Sequence, residues 1–238
     1  MYNEFTLSNL LSETVETVRR NGTIALIFLA IIVPASTLFG LFGENDFLEF
    51  LIALESASNL STSGQIGFVV AAVFAWLVVV ILAQFWLLAG MVRRTATPGF
   101  DRFGAFLGVY ILVTLATALG FIALIIPGLV LLARWSPILA IVVGDGRPAM
   151  DSFGDAWRMT TGKGWPIFGA IVILYVGLLV LSGIAEGFSL AASGIGTYAA
   201  VALVALVEGV STVIFTALSV SIYDMLRNPS EELTEVFE

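Results

Sequence analysis

The chain has 238 residues, of which 59% are hydrophobic and 12% are charged, and its formal net charge is −8. Soluble domains are typically about 45–50% apolar and about 25% charged, so this composition excludes an ordinary soluble globular protein. The chain contains no cysteine, which excludes disulfides, and no histidine, the commonest general base and metal ligand. It also lacks the basic surface that would predict a nucleic-acid partner.

The apolar residues are concentrated in six blocks, and each block is long enough to predict a membrane-crossing helix. The predicted fold is therefore all-α, a polytopic membrane protein of six transmembrane helices with additional amphipathic helices on the cytoplasmic interface. No segment outside the blocks is long enough for a soluble core, so residues 1–238 are predicted to form one membrane domain with a six-span bundle over 22–226. The six blocks run approximately over Gly22–Phe42, Ile66–Val92, Phe103–Ile126, Leu129–Val143, Pro166–Phe188 and Thr197–Leu226.

The N-terminal segment, residues 1–21, is predicted to form an amphipathic helix. Leucine and valine recur at helical spacing from Leu7 to Val18, with Val15 among them, and charged residues lie between them. Two interpretations remain open: a helix lying on the membrane surface, or a polar helix packed on the bundle. The block that follows also has a small-residue stretch like a signal-peptide cleavage site, but the long acidic segment before it argues against a signal peptide.

The connections between the blocks carry turn and surface signals. Pro127-Gly128 is predicted to form the tight turn between the third and fourth spans. Residues 43–65 are acidic and are expected to form an outer loop or a short surface helix. Residues 145–165 are predicted to form a second interfacial helix, anchored at headgroup depth by Trp157, Arg158 and Lys163.

The basic residues predict the orientation of the chain. In the six-span arrangement every lysine and arginine except Arg134 falls on one side, and the side rich in Lys and Arg is the cytoplasmic one. Both termini are therefore predicted to be cytoplasmic, including the acidic tail over residues 227–238.

Four polar residues fall inside the predicted spans. Glu208 lies near the middle of the sixth, Arg134 lies roughly 9 Å from the outer end of the fourth, Glu186 lies near the outer end of the fifth, and Gln84 lies in the second. A charge at such depth normally faces the bundle interior and has a partner. Three interpretations of Arg134 and Glu208 remain open: a proton- or substrate-coupling site, a structural pair that fixes helix register, or a protonated Glu208. Glu186 is interpreted as an interfacial residue.

The motifs of enzymes are missing from the sequence. It has no Ser/His pair, no cluster of metal-ligand residues, no phosphate-binding Gly-Lys-Ser/Thr loop and no dinucleotide fingerprint. We therefore predict no catalytic residue, no metal site and no cofactor, and the protein is not expected to be an enzyme.

Several short motifs resemble those of one family. They are Pro127-Gly128, Arg134-Trp135-Ser136, Ala156-Trp157 with Thr160-Thr161-Gly162, and the terminal Tyr223-Asp224-Met225-Leu226-Arg227. With the six-span layout, they resemble the glycerophosphodiester phosphodiesterase membrane-domain family and its uncharacterised six-span bacterial inner-membrane relatives. Relatives often carry a Pro and a Glu where this chain has Ile141 and Gly144-Asp145. In fused relatives the phosphodiester chemistry belongs to a separate soluble domain, which this sequence does not contain.

The resemblance implies a bacterial inner-membrane protein with a role in lipid or envelope maintenance. The first functional expectation is thus a non-enzymatic membrane protein that organises lipid or an envelope complex, with membrane lipid and other membrane proteins as partners. The alternative is a small transporter or channel that uses Glu208 and Arg134.

Overall fold

The computed structural model describes residues 5–55 and 63–227. Within these ranges the chain is all-helical, with nine helices and no strand, which confirms the predicted all-α class. The helices are α1 (Leu7–Arg20), α2 (Gly22–Glu55), α3 (Ser63–Arg93), α4 (Phe103–Ala123), α5 (Ile125–Arg134), α6 (Ile138–Gly144), α7 (Ala149–Met159), α8 (Gly164–Ala191) and α9 (Ile195–Leu226).

Six helical segments are long and apolar enough to cross a membrane, as the sequence predicts. Their bounds are Gly22–Gly40, Val70–Arg93, Phe103–Ala123, Ile126–Gly144, Gly164–Ala191 and Gly196–Leu226. The fourth segment is not one straight helix, because it consists of α5 and α6 with a break between them.

The connection after the first span differs from its prediction. The acidic stretch was expected to form a loop or a separate surface helix, but α2 continues as a single helix to Glu55. Pro34 lies inside α2 without ending it. At 1.5 Å per residue, the 34 residues of α2 reach well beyond the roughly 30 Å hydrocarbon core of a bilayer. Residues 56–62 and the tail 228–238 lie outside the described residues.

The predicted turn at Pro127-Gly128 is displaced by three residues. Leu124, in an extended conformation, makes the turn between α4 and α5, and Pro127 lies in the first turn of α5. Proline is tolerated there because the first N–H groups of a helix have no helical acceptor. Gly128 is required for close packing, since a Cβ on it would lie 2.6 Å from the Phe121 ring.

The described chain divides into two compact units. Unit 1 contains residues 5–25, Phe85–Leu178 and 212–227, and unit 2 contains Leu26–Gln84 and Leu179–Ser211. Every lysine and arginine of the sequence belongs to the ranges of unit 1, and none belongs to those of unit 2. The charge segregation seen in the sequence therefore coincides with the division of the structure.

Helix α1 belongs to the core of unit 1. Leu10 is fully buried in an apolar cluster with Ile167 of α8 and Ile222 of α9. The Ser221 hydroxyl donates a 2.9 Å hydrogen bond to Oγ1 of Thr17, so the buried face of α1 also carries hydroxyls. This packing supports the interpretation of the N-terminal helix as a polar helix packed on the bundle. Val15, which was predicted to lie on its apolar face, is instead 67% exposed because the threonine face turns inward.

Unit 2 is built from parts of α2, α3, α8 and α9. Phe39 stacks on Trp76 with 4.9 Å between ring centroids, which joins α2 to α3. Gly209 lets α9 approach α2 closely, since a Cβ there would lie 2.9 Å from a methyl group of Leu29. Large apolar side chains such as Phe74 and Phe188 are exposed on its surface, which is typical of helices that face lipid.

Candidate functional site

Unit 1 contains an open apolar groove of about 580 Å³ between α5 and the start of α8. Ligand sites commonly have volumes of about 300–1,000 Å³ and are lined by apolar side chains with a few placed polar groups. Arg134 is the only charged side chain that lines the groove within the described chain. The other lining residues are Ile126, Leu129, Val130, Ala133, Gly162, Gly164, Trp165 and Phe168.

The break in the fourth span places Arg134 at this groove. Pro137 disfavours a helical conformation in the residue before it, and α5 accordingly ends at Arg134. The carbonyl of Ser136 in the break accepts a 2.7 Å hydrogen bond from Ser219 of α9. Trp135 packs edge-on against Phe153 of α7, with 5.2 Å between the ring centroids. The break is therefore held by contacts with two other helices.

The turn between α7 and α8 forms the opposite wall. The buried Thr160 hydroxyl donates to the carbonyl of Ala156 at 2.7 Å and approaches the carbonyl of Arg134 at 3.3 Å. Gly162 has φ = +78°, a conformation that L side chains rarely adopt. The Thr160-Thr161-Gly162 motif thus has a structural role here, because it joins the end of α5 to the start of α8.

Arg134 is partly buried, and its guanidinium lies over the Trp157 ring at 5.1 Å from the centroid. Its Nη1 is buried and has no hydrogen-bond partner among the described residues. A buried donor without a partner costs about 1–3 kcal/mol, and more when it is charged. Nη1 therefore lacks an acceptor within the described residues, while the partly buried side chain of Arg134 contributes to the lining of the groove.

The other predicted intramembrane residues lie in unit 2. Glu208 and Glu186 are both exposed, and the charge of Glu186 is close enough to repel that of Glu208. Gln84 is partly buried on α3. Because Arg134 belongs to unit 1, its predicted pairing with Glu208 stays a prediction.

The three predicted anchors lie beside the groove of unit 1. Trp157 is 44% exposed and stacks with Arg134, as described above. Arg158 forms a 2.7 Å ion pair with Asp155, and the Lys163 ammonium lies 5.8 Å from the centroid of the Phe5 ring. In the sequence, Lys163 lies between Gly162 and Gly164, which both line the groove. The structure thus brings Trp157 and Arg134 together, while Arg158 and Lys163 contact other partners.

A polar network in unit 1 was not predicted from the sequence. Tyr223 of α9 is 2% exposed and donates to Asp145, which follows α6. Asp145 also lies 3.6 Å from Arg227. Nearby, Asp224 pairs with Arg20 at 3.3 Å, which ties α9 to α1. The sequence does carry a signal for this network, since Tyr223 and Arg227 belong to the terminal motif and Asp145 lies where relatives differ, but their spacing does not show that they meet.

No family model, characterised protein or solved structure matches this chain. Among the described residues there is also no group of three or more side chains of the kinds that ligate metals through His, Cys, Asp or Glu.

Proposed function

We propose that this protein is a non-enzymatic, multi-pass membrane protein that holds membrane lipid in the groove of unit 1 and so organises lipid or an envelope complex. The groove carries the proposal, because it combines an apolar wall of about 580 Å³ with one partly buried cation. Acyl chains complement the apolar wall, and the six apolar helical segments would place the groove within reach of the bilayer. The motif resemblance points to the same role in a bacterial inner membrane.

The proposed orientation has both termini in the cytoplasm. Its support is the positive-inside rule, together with the restriction of all lysines and arginines to unit 1. In this orientation α1 and α7 lie at the cytoplasmic face, where Trp157 reaches headgroup depth. The cysteine-free chain allows a direct test with the exposed residues Thr97 and Ser193. A cysteine at Ser193 should react with an impermeant reagent added outside cells, and one at Thr97 should not; the reverse pattern would overturn the orientation.

Lipid binding is tested by filling the groove. Val130 lines it and is 43% exposed, so Val130→Trp should displace lipid without disturbing a buried core. The matched control is Val176→Trp on α8, which is 53% exposed and does not line the groove. Native mass spectrometry of the full chain should show retained lipid in the wild type and the control, and less in Val130→Trp. Equal retention in all three proteins would contradict the proposal.

A further inference from the structure

The groove is positively polarised at the end where α8 begins. Arg134 supplies a full charge there, and Gly164 and Trp165 are the first residues of the 28-residue helix α8. The first N–H groups of a helix have no helical acceptor, and the helix dipole places a partial positive charge at the same point. Arg134 and the start of α8 therefore both place positive charge beside the apolar groove, and the free N–H groups of α8 are those of Gly164 and Trp165, because Pro166 has none.

Among the residues that the structure describes, the lining of the groove contains no Asp or Glu. Other arginines of unit 1 have a carboxylate at 2.7–3.6 Å: Arg20, Arg93, Arg158 and Arg227. Arg134 has the Trp157 ring as its neighbour instead, and its Nη1 remains without an acceptor in the described chain. A guanidinium in this situation complements a phosphate or carboxylate, which can accept two parallel hydrogen bonds from it.

We infer that the groove selects an anionic membrane lipid, whose acidic headgroup binds Arg134 and the N-terminus of α8 while its chain lies along α5. The inference rests on the proposed function and deepens it by naming the class of ligand. The apolar residues of α5, Leu129 and Val130 among them, supply the wall for the chain. The shared chemistry of the headgroup is a phosphodiester or a carboxylate, and the attached chain distinguishes a lipid from free phosphate.

The test compares headgroup preference with total lipid binding. The full chain is reconstituted in nanodiscs of equal phosphatidylglycerol and phosphatidylcholine, and the retained lipid is measured by native mass spectrometry. Wild type should be enriched in phosphatidylglycerol. Arg134→Gln should retain lipid but lose the preference by about tenfold, the lower end of the effect of a hydrogen bond to a charged group. Arg134→Lys should keep part of it, and Arg94→Gln, which removes a cation that is 62% exposed and has no place in the groove, should keep all of it.

The outcomes separate the two proposals. Lipid retained by wild type with no headgroup preference would overturn this inference and leave the proposed function standing. No retained lipid in any protein would overturn the proposed function itself. Displacement of the bound lipid by inorganic phosphate at millimolar concentration would show a phosphate site in place of a lipid site. An unchanged preference in folded Arg134→Gln would also overturn the inference. If that variant fails to fold, Val130→Trp, which fills the groove, should reduce the phosphatidylglycerol enrichment, and an unchanged enrichment would overturn the inference.

Discussion

The hydroxyl of Tyr223 donates a 2.5 Å hydrogen bond to Oδ1 of Asp145, 78 positions earlier in the sequence. The contact fixes the last turns of α9 to the connection between α6 and α7. Arg227, directly after the end of α9, adds a 3.6 Å ion pair to the same carboxylate. The C-terminal end of α9 and the residue that follows it thus hold the segment that leads into α7.

Removal of this hydrogen bond should measurably destabilise unit 1. We expect Tyr223→Phe to lower the free energy of unfolding by about 0.5–1.5 kcal/mol, the usual net contribution of a hydrogen bond. Tyr175→Phe is the control, because Tyr175 is 58% exposed on α8. Thermal unfolding in detergent would measure both variants, and equal shifts in the two would show that the Tyr223 hydroxyl contributes nothing specific.

Close packing beside Tyr223 predicts a large effect for a small substitution. A Cβ on Gly144 would lie 2.6 Å from the Tyr223 oxygen and 3.1 Å from a methyl group of Val92. We expect Gly144→Ala to cost about 1–3 kcal/mol, as overpacking usually does. Gly154→Ala within α7 meets no atom within 4 Å and should instead stabilise by roughly 0.5–1 kcal/mol. A stabilising Gly144→Ala would contradict the packing described here.

Acid should weaken the loop between α3 and α4. Arg93 holds both oxygens of Asp101, at 2.8 and 3.0 Å, and this hydrogen bonding lowers the pKa of the Asp101 carboxyl. A lowered folded-state pKa stabilises the protein above the ordinary aspartate value of about 4, and the contribution is lost as the pH falls through the folded value. When unfolding is measured from pH 7 to pH 3, the free energy of unfolding should therefore fall less in Asp101→Asn than in wild type. An identical pH profile would show that the pair contributes no stability.

The contact between Arg134 and Trp157 should appear as an energetic coupling. A partly desolvated cation over an indole ring contributes about 0.5–2 kcal/mol. A double-mutant cycle of Arg134→Met and Trp157→Leu should yield a coupling in this range. The exposed pair Met150 and Trp165, at 72% and 83% exposure, serves as a control cycle that should be additive. Additivity in both cycles would show that the cation–aromatic contact does not contribute to stability.

If Arg134 pairs with Glu208, as the sequence suggests, the effects of removing the two residues should not be additive. Removing one partner of a buried ion pair typically costs about 3–5 kcal/mol, and removing both costs less because no unpaired charge remains. If the two residues pair, Arg134→Leu and Glu208→Leu should each lower the yield of folded protein, and the double mutant should be partly restored. Additive effects of the two substitutions would show that the residues are uncoupled and would remove the pairing hypothesis. Loss of pH-dependent flux in a folded Glu208→Gln variant would favour the transporter alternative.

Helix positions were largely predictable from the sequence, because a long apolar block with no charge has few structures available to it. The break after Arg134 was not, since hydropathy is insensitive to a helix that ends and restarts within an apolar block. Only Pro137 signalled it, and the compensating donor, Ser219, lies 83 residues away. The continuation of α2 to Glu55 was not predicted, because acidic residues signal the end of an apolar block but do not by themselves end a helix.

The groove itself could be predicted only in part. Arg134 and Trp157 were both singled out, for unrelated reasons, but sequence spacing gave no sign that one lies over the other. Their contact depends on the packing of α7 beside the end of α5, which the Trp135–Phe153 ring contact and the approach of Thr160 to the Arg134 carbonyl accompany. The buried face of α1 also differs from its prediction. The hydroxyls of Thr14 and Thr17 form hydrogen bonds within the fold, which makes these residues as suitable for burial as valine.

The broken fourth segment also constrains the order in which the chain can assemble. Its two helices have 10 and 7 residues, about 15 and 10 Å, so neither alone spans a hydrocarbon core of about 30 Å. The carbonyl freed at Ser136 receives its donor from α9, which is synthesised well after α5 and α6. Until synthesis reaches that helix, the fourth segment carries an unsatisfied backbone group. Its final position is therefore set after translation of the whole bundle, and truncation before Ser219 should leave a chain that quality-control proteases recognise.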